Sequence, residues 1–258
     1  MVSVSHSCPR FVAACAGVVL ALTALALDGC AGANRLPSAT YERALFDHER
    51  GHDREVLTTV EQFLRRSPGD SLAAPAQRLK TLALMKLKEY PLAAVELQIL
   101  RQEYPTSEFV SESWFLEGVA LFRQVGRMER DIAPALEARS RFRRFLTDWP
   151  EDPRAAEARD YLVRISDLEL QKKLGEAEVY MHLGQPVAAG VVLDTVLAQE
   201  KEGRLRPRLL LRRAEVALRA KRPEDAKVAW QRLVADHPDS PEAAEAQRAL
   251  ARLPREGS

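Results

Sequence analysis

The chain has 258 residues, with 38 Lys and Arg set against 37 Asp and Glu and a formal net charge of +1 at neutral pH. That balance argues against nucleic acid as a partner, because binding it demands a basic footprint. Aromatic residues make up 6% and glycine contributes twelve residues, while Ala, Leu, Arg and Glu dominate, which is a composition of helices.

The first segment, 1–29, reads as a secretory signal. Met1–Arg10 carries one fixed charge, Phe11–Leu27 is uncharged and mostly Ala, Val and Leu, and Leu27-Asp28-Gly29-Cys30 closes the run. Leu–x–Gly–Cys resembles a bacterial lipobox, so Cys30 is expected to be acylated and to become the first residue of the mature chain. Asp28 stands where a small or apolar residue is usual. Cleavage after Ala24-Leu25-Ala26 and an uncleaved anchor are the alternatives; seventeen apolar residues sit at the short limit for a span. Cys8 and Cys15 lie within the signal, so Cys30 would be the only cysteine left and no disulfide could form. Each buried CH₂ of an acyl chain contributes about 0.8 kcal/mol, and durable attachment takes more than one chain. Ala31, the next residue, is compatible with export to the outer membrane. From Cys30 onward the chain keeps 37 basic against 36 acidic residues. Residues 30–40 read as a lipidated tether.

Residues 41–253 are expected to be all-α, a tetratricopeptide-like solenoid of about five helix pairs with a carboxy-terminal capping helix. Amphipathic segments keep ending at a proline followed by polar capping residues: Ser67-Pro68-Gly69-Asp70, Tyr104-Pro105-Thr106-Ser107, Trp149-Pro150-Glu151-Asp152 and His237-Pro238-Asp239-Ser240. Pro68 and Pro105 are 37 residues apart, near the ~34 of a tetratricopeptide unit. Small residues fall where paired helices must touch: Ala44, Thr81, Gly118, Ala177 and Ala214, then Val56, Ala93, Ala138, Ala189 and Ala226. Larger apolar residues follow in each second helix, among them Val60, Leu97, Phe142, Leu193 and Trp230. The expected units are about 37–70, 74–107, 111–152, 170–203 and 207–240, with a cap at 241–253 and a disordered tail at 254–258. The third unit carries an insertion, Arg123–Ala133, and the fourth lacks its closing proline.

His48-Glu49-Arg50-Gly51-His52 matches His–Glu–x–x–His, in which two histidines one turn apart bind zinc and the Glu activates water. That chemistry needs one helix through all five residues, whereas the repeat register puts Gly51 at a turn. A zinc metalloprotease through His48, Glu49 and His52 is the remote alternative. The main expectation is a protein that is not an enzyme, without metal or cofactor. Its binding surface is the concave strip lined by the first helix of each pair: Tyr41, Arg78, Leu82, Met85, Phe115, Val119 and Phe122, with Leu45 and His48 beside them. In the last two units the strip comprises Leu174, Glu178, Met181, Leu211, Glu215 and Leu218. Such a mixed apolar strip suits an extended peptide.

The lipobox, the tether, five such units with an insertion in the third, Trp114–Phe122, and Tyr180 followed by Leu183-Gly184 and Ala188-Ala189 together resemble the BamD family of outer-membrane assembly lipoproteins. The resemblance runs from about Tyr41 to Leu250. It implies a lipid-anchored, non-catalytic scaffold on the periplasmic face of the outer membrane. By that resemblance the amino-terminal repeats would receive unfolded barrel precursors, and the carboxy-terminal repeats would dock to subunits of the β-barrel assembly machinery. Leu183 and Val192 stand where the family usually has arginines, the second of them associated with docking. Another periplasmic tetratricopeptide lipoprotein, related to Tol–Pal, the cell wall, a pilus or secretion, is the alternative.

Overall fold

The computed structural model describes residues 36–125 and 131–252. The signal, Cys30 and the tail therefore lie outside the described residues. Among those described there are eleven helices and no strand, and no helix is long and apolar enough to cross a membrane. The chain divides after Phe109 into two compact units.

The first unit holds two helix pairs: α1 (Tyr41–Glu49) with α2 (Asp53–Arg66), and α3 (Ala73–Lys86) with α4 (Tyr90–Glu103). Ala44, Val56, Val60, Ala76 and Ala83 are fully buried and form its core with Phe63 and Leu79. The second unit holds α5 (Val110–Arg123), α6 (Ala133–Asp148), α7 (Ala155–His182), α8 (Pro186–Gln199), α9 (Arg206–Arg219), α10 (Pro223–Asp236) and α11 (Pro241–Arg252). All ten small positions named above are buried. They let two helix backbones approach, and the larger residues then fill the seam.

Two kinds of corner recur, and each arises from local chemistry. Within four pairs the chain reverses through one residue at positive φ: Gly51 at 74°, Lys88 at 63°, Gly184 at 70° and Lys221 at 58°. The next amide then donates back five residues, His52 to Asp47, Glu89 to Leu84, Gln185 to Tyr180 and Arg222 to Ala217, each at 2.9 Å. This left-handed cap satisfies carbonyls that the helix end leaves open. Between pairs, Ser67, Tyr104, Trp149 and His237 each precede a proline and end a helix. The polar residue three positions later then accepts from a backbone amide in the turn that leads into the next helix or in that helix's first turn. Asp70 Oδ1 accepts from the Leu72 amide at 2.8 Å, Ser107 Oγ from Phe109 at 3.3 Å, Asp152 Oδ1 from Arg154 at 2.9 Å and Ser240 Oγ from Ala243 at 3.1 Å.

The corner without proline, between α8 and α9, is held by side chains instead. The buried Arg206 guanidinium donates to the carbonyls of Leu197 and Glu200, and Asp167 Oδ1 accepts from the Leu205 amide at 3.0 Å. The Glu200 carboxylate accepts from Arg139 at 2.9 Å and from Ser166 at 2.5 Å. Burial lowers the pKa of Arg206 from its ordinary value. The sequence register starts a unit near 170, but α7 runs unbroken for 28 residues. Its first half packs on the third pair through Tyr161, and its second half pairs with α8.

Candidate protein-binding grooves

The histidine motif is divided by the first turn. Helix α1 ends at Glu49, Gly51 adopts positive φ, and His52 stands as the N-cap of α2. His48 Nδ1 lies 3.1 Å from Asp53 Oδ1, and His52 Nδ1 lies 3.9 Å from Asp47 Oδ1. The two rings thus face different carboxylates, and the one-helix geometry that a zinc protease requires is absent at this motif.

In the first unit Tyr41 is half-buried against the core cluster. Arg78, Leu82 and Met85 are half-buried along α3, with the Arg78 guanidinium 5.1 Å from the Phe109 ring centroid. In the second unit the expected strip needs correction. Phe115 is 4% exposed and its ring sits 5.9 Å from Phe142, 5.7 Å from Phe145 and 6.4 Å from Tyr161. It is a core residue and lines no open wall. Val119 is buried as well. The reason is that α5 packs along α6 and that the Tyr161 ring of α7 closes over the aromatic side of α5.

Phe122, one face along from Phe115, remains half-buried at the edge of a cavity of about 460 Å³ that Val125, Arg164, Asp167 and Leu168 also line. The Arg164 guanidinium carbon stands 4.6 Å from the Phe122 centroid and 4.8 Å from the Tyr161 centroid. Arg164 carries no signal by itself in the sequence. Only the Tyr161-x-x-Arg164 spacing places it on the tyrosine's side of the helix, and its contact with Phe122 is tertiary.

A second, open groove runs along α7 and α9. Leu174, Glu178 and Met181 on α7 face Leu211, Glu215 and Leu218 on α9 across two adjoining depressions of about 370 and 490 Å³. Arg212 ties the walls together, donating to Glu178 Oε2 at 2.7 Å and Glu215 Oε2 at 2.6 Å. The hydrogen bond to Glu178, and after it the one to Glu215, raises the pKa of Arg212 above its ordinary value. Leu218 remains 46% exposed. The floor is therefore apolar, the charges are largely paired across it, and Arg208 and Arg219 stand at the rim. Such a surface can take an amphipathic protein segment, burying apolar side chains while its polar edge selects register. Nearby, Leu183 is exposed and Val192 is half-buried against the core of this unit.

The chain is similar in sequence to known proteins. The model of the YfiO family, described as outer membrane lipoprotein, matches residues 34–202, and a tetratricopeptide-repeat model matches residues 180–253. A relative from Caulobacter vibrioides, outer membrane protein assembly factor BamD, is 22% identical over 219 residues, covering 81% of this chain and 72% of its own. A crystal structure of a thermophilic tetratricopeptide protein from Thermus thermophilus is 20% identical and covers 81% of this chain and 96% of that one. Its TM-score of 0.34 is too low to bear on the arrangement of the repeats.

Proposed function

The chain belongs to the YfiO outer membrane lipoprotein family, and from that premise we propose that it is a non-catalytic scaffold of the outer-membrane β-barrel assembly machinery, anchored by lipid at Cys30 and facing the periplasm. The observation that carries the reading is the family match over residues 34–202, joined by the similarity to an outer membrane protein assembly factor. The repeats supply the physical means. Stacked helix pairs present long open surfaces, and such folds work by holding other proteins. In this reading the α7–α9 groove docks a partner subunit, and the Arg78–Met85 strip and the Phe122 cavity receive unfolded precursors.

A coordinator in another envelope system would use the same fold, since repeat architecture does not fix the partner. The discriminating experiment targets the groove. Met181→Asp with Leu218→Asp puts two charges on its apolar floor; Leu218 is exposed, whereas Met181 also packs against the core of this unit, so Leu218→Asp alone is the variant that spares the seam. Anchors of this kind commonly cost 2 kcal/mol or more when lost. The double variant is expected in the membrane fraction at wild-type level but without co-purifying barrel-assembly subunits. Full retention of those subunits would remove the groove from the docking surface.

A further inference from the structure

We propose that one face of the first unit, carried by α2 and α4, rests on a lipid surface, with Leu92 and Val95 entering the headgroup region. The inference rests on the reading of Cys30 as the lipid anchor, and it names the side of the unit that the anchor brings to the bilayer.

Residues 36–40 form a short strap folded onto the first helix pair. The Thr40 hydroxyl donates to the Pro37 carbonyl at 3.2 Å and accepts from the Arg43 amide at 3.3 Å. Ala39 adopts a φ of 59°, which residues other than glycine rarely take, and it is only 8% exposed. A cavity of about 340 Å³ lies between strap and helices, lined by Leu36 and Ala39, by Arg43 and Asp47 of α1, and by Glu55 and Thr58 of α2. The tether therefore joins the unit on the face of α2 that carries Glu55 and Thr58. From Cys30 to Leu36 there are six residue steps, which reach at most roughly 20 Å. That is no more than the length of α4, fourteen residues at about 1.5 Å each. A lipid on so short a lead holds this face beside the bilayer.

Helix α4 presents the equivalent face. Glu55 and Thr58 precede Leu92 and Val95 by 37 residues, the spacing that separates Pro68 from Pro105, so the two pairs hold the same places in successive repeats. In α2 those places are polar and line the strap's cavity. In α4 they are apolar and open: Leu92 is 56% and Val95 52% exposed, more than any other large apolar side chain among the described residues of this unit. Ile99, half-buried, continues them at helical spacing. An apolar stripe within the anchor's reach suits the membrane interface, where an amphipathic helix sinks its apolar face.

The test uses the full lipidated chain in vesicles of phosphatidylethanolamine and phosphatidylglycerol, with and without a nitroxide on the headgroup. A bimane label is carried at Val95→Cys or, as the control, at Leu45→Cys on α1, where the side chain is 37% exposed. The nitroxide should quench the Val95 label at least about threefold more than the Leu45 label, since an interfacial apolar face lies about 5–10 Å into the headgroup boundary. Leu92→Glu in the Val95→Cys chain should remove most of that quenching and leave melting unchanged, because Leu92 is exposed. A flexible Gly-Ser insertion after Gly32, which leaves every described residue as it is, should lower it too. Equal quenching at the two positions, or quenching at Val95 that survives both changes, would overturn the proposal. So would a Val95 label shielded from aqueous iodide in cell envelopes but unquenched in vesicles, which would assign the face to a protein. A chain whose intact mass lacks lipid and that fails to float with vesicles would refute the anchor reading itself. A lipidated, floating chain without quenching at Val95 would refute this inference alone.

Discussion

Gly118 is where the third helix pair has no room to spare. A methyl group built on its Cα would lie 2.7 Å from Phe142 Cε1 and 2.8 Å from Phe142 Cζ. The ring cannot retreat easily, because Phe142 is fully buried, stacked on Tyr161 and in edge contact with Phe115. Gly118→Ala should therefore cost about 1–3 kcal/mol in overpacking, offset by about 1 kcal/mol of gained helix propensity. Gly175 supplies the control: it lies in α7 with nothing within 4 Å of an added Cβ. There the substitution should gain up to about 1 kcal/mol. The two variants should thus differ by about 1–3 kcal/mol, or roughly 3–10 °C in melting midpoint for a chain of this size. Circular dichroism melts of both, with Gly118→Leu as the more severe case, measure this. Equal midpoints for Gly118→Ala and Gly175→Ala would refute the account of that seam.

The same geometry carries further outcomes. Asp152 has a pKa lowered from 3.8 to about 2, chiefly by the side-chain hydrogen bond from Arg154. Its ionised form therefore contributes stability, about 2 kcal/mol at neutral pH, which is lost as pH falls from about 4 to about 2. The melting difference between wild type and Asp152→Asn should shrink over that window, and a constant difference would show the pairing to be unimportant. Glu117 is fully buried and Arg141 Nε donates to it at 2.9 Å. Arg141→Leu removes one partner of a buried carboxylate and should cost up to about 3 kcal/mol, and Glu117→Leu in the same chain should recover part of the loss in chemical denaturation. Substituting His48 or His52 by Ala should leave metal content unchanged by elemental analysis, because the turn at Gly51 separates the rings.

The repeat was legible because its signals are local. A proline and a polar cap lie within a few residues of each corner, and each small residue sits at a fixed place in its helix. The turn at Asp70 and the seam at Ala138 can be read from those neighbours alone. Phe115 was misread because spacing of seven places it with Phe122 on one helix face but does not say which face is open. A signal for burial was present: Trp114–Phe122 is apolar nearly all round, and such a helix is covered on several sides. The first half of α7, which does the covering, lies outside the repeat register, so its Tyr161 and Arg164 had no assigned place. The α7–α9 groove was legible through Leu174 to Leu218, since position within the repeat suffices there. Its Arg212 clamp was not, because that depends on which carboxylates the neighbouring helix presents.

The central claim, that this chain is a scaffold of barrel assembly, is tested most directly by crosslinking in intact cells, extraction of the tagged full-length chain from the membrane, and identification of its partners by mass spectrometry. The account predicts recovery of barrel-assembly subunits and outer-membrane barrel precursors, with an intact mass showing cleavage before Cys30 plus lipid. Recovery of Tol–Pal, cell-wall, pilus or secretion components in their place would contradict it.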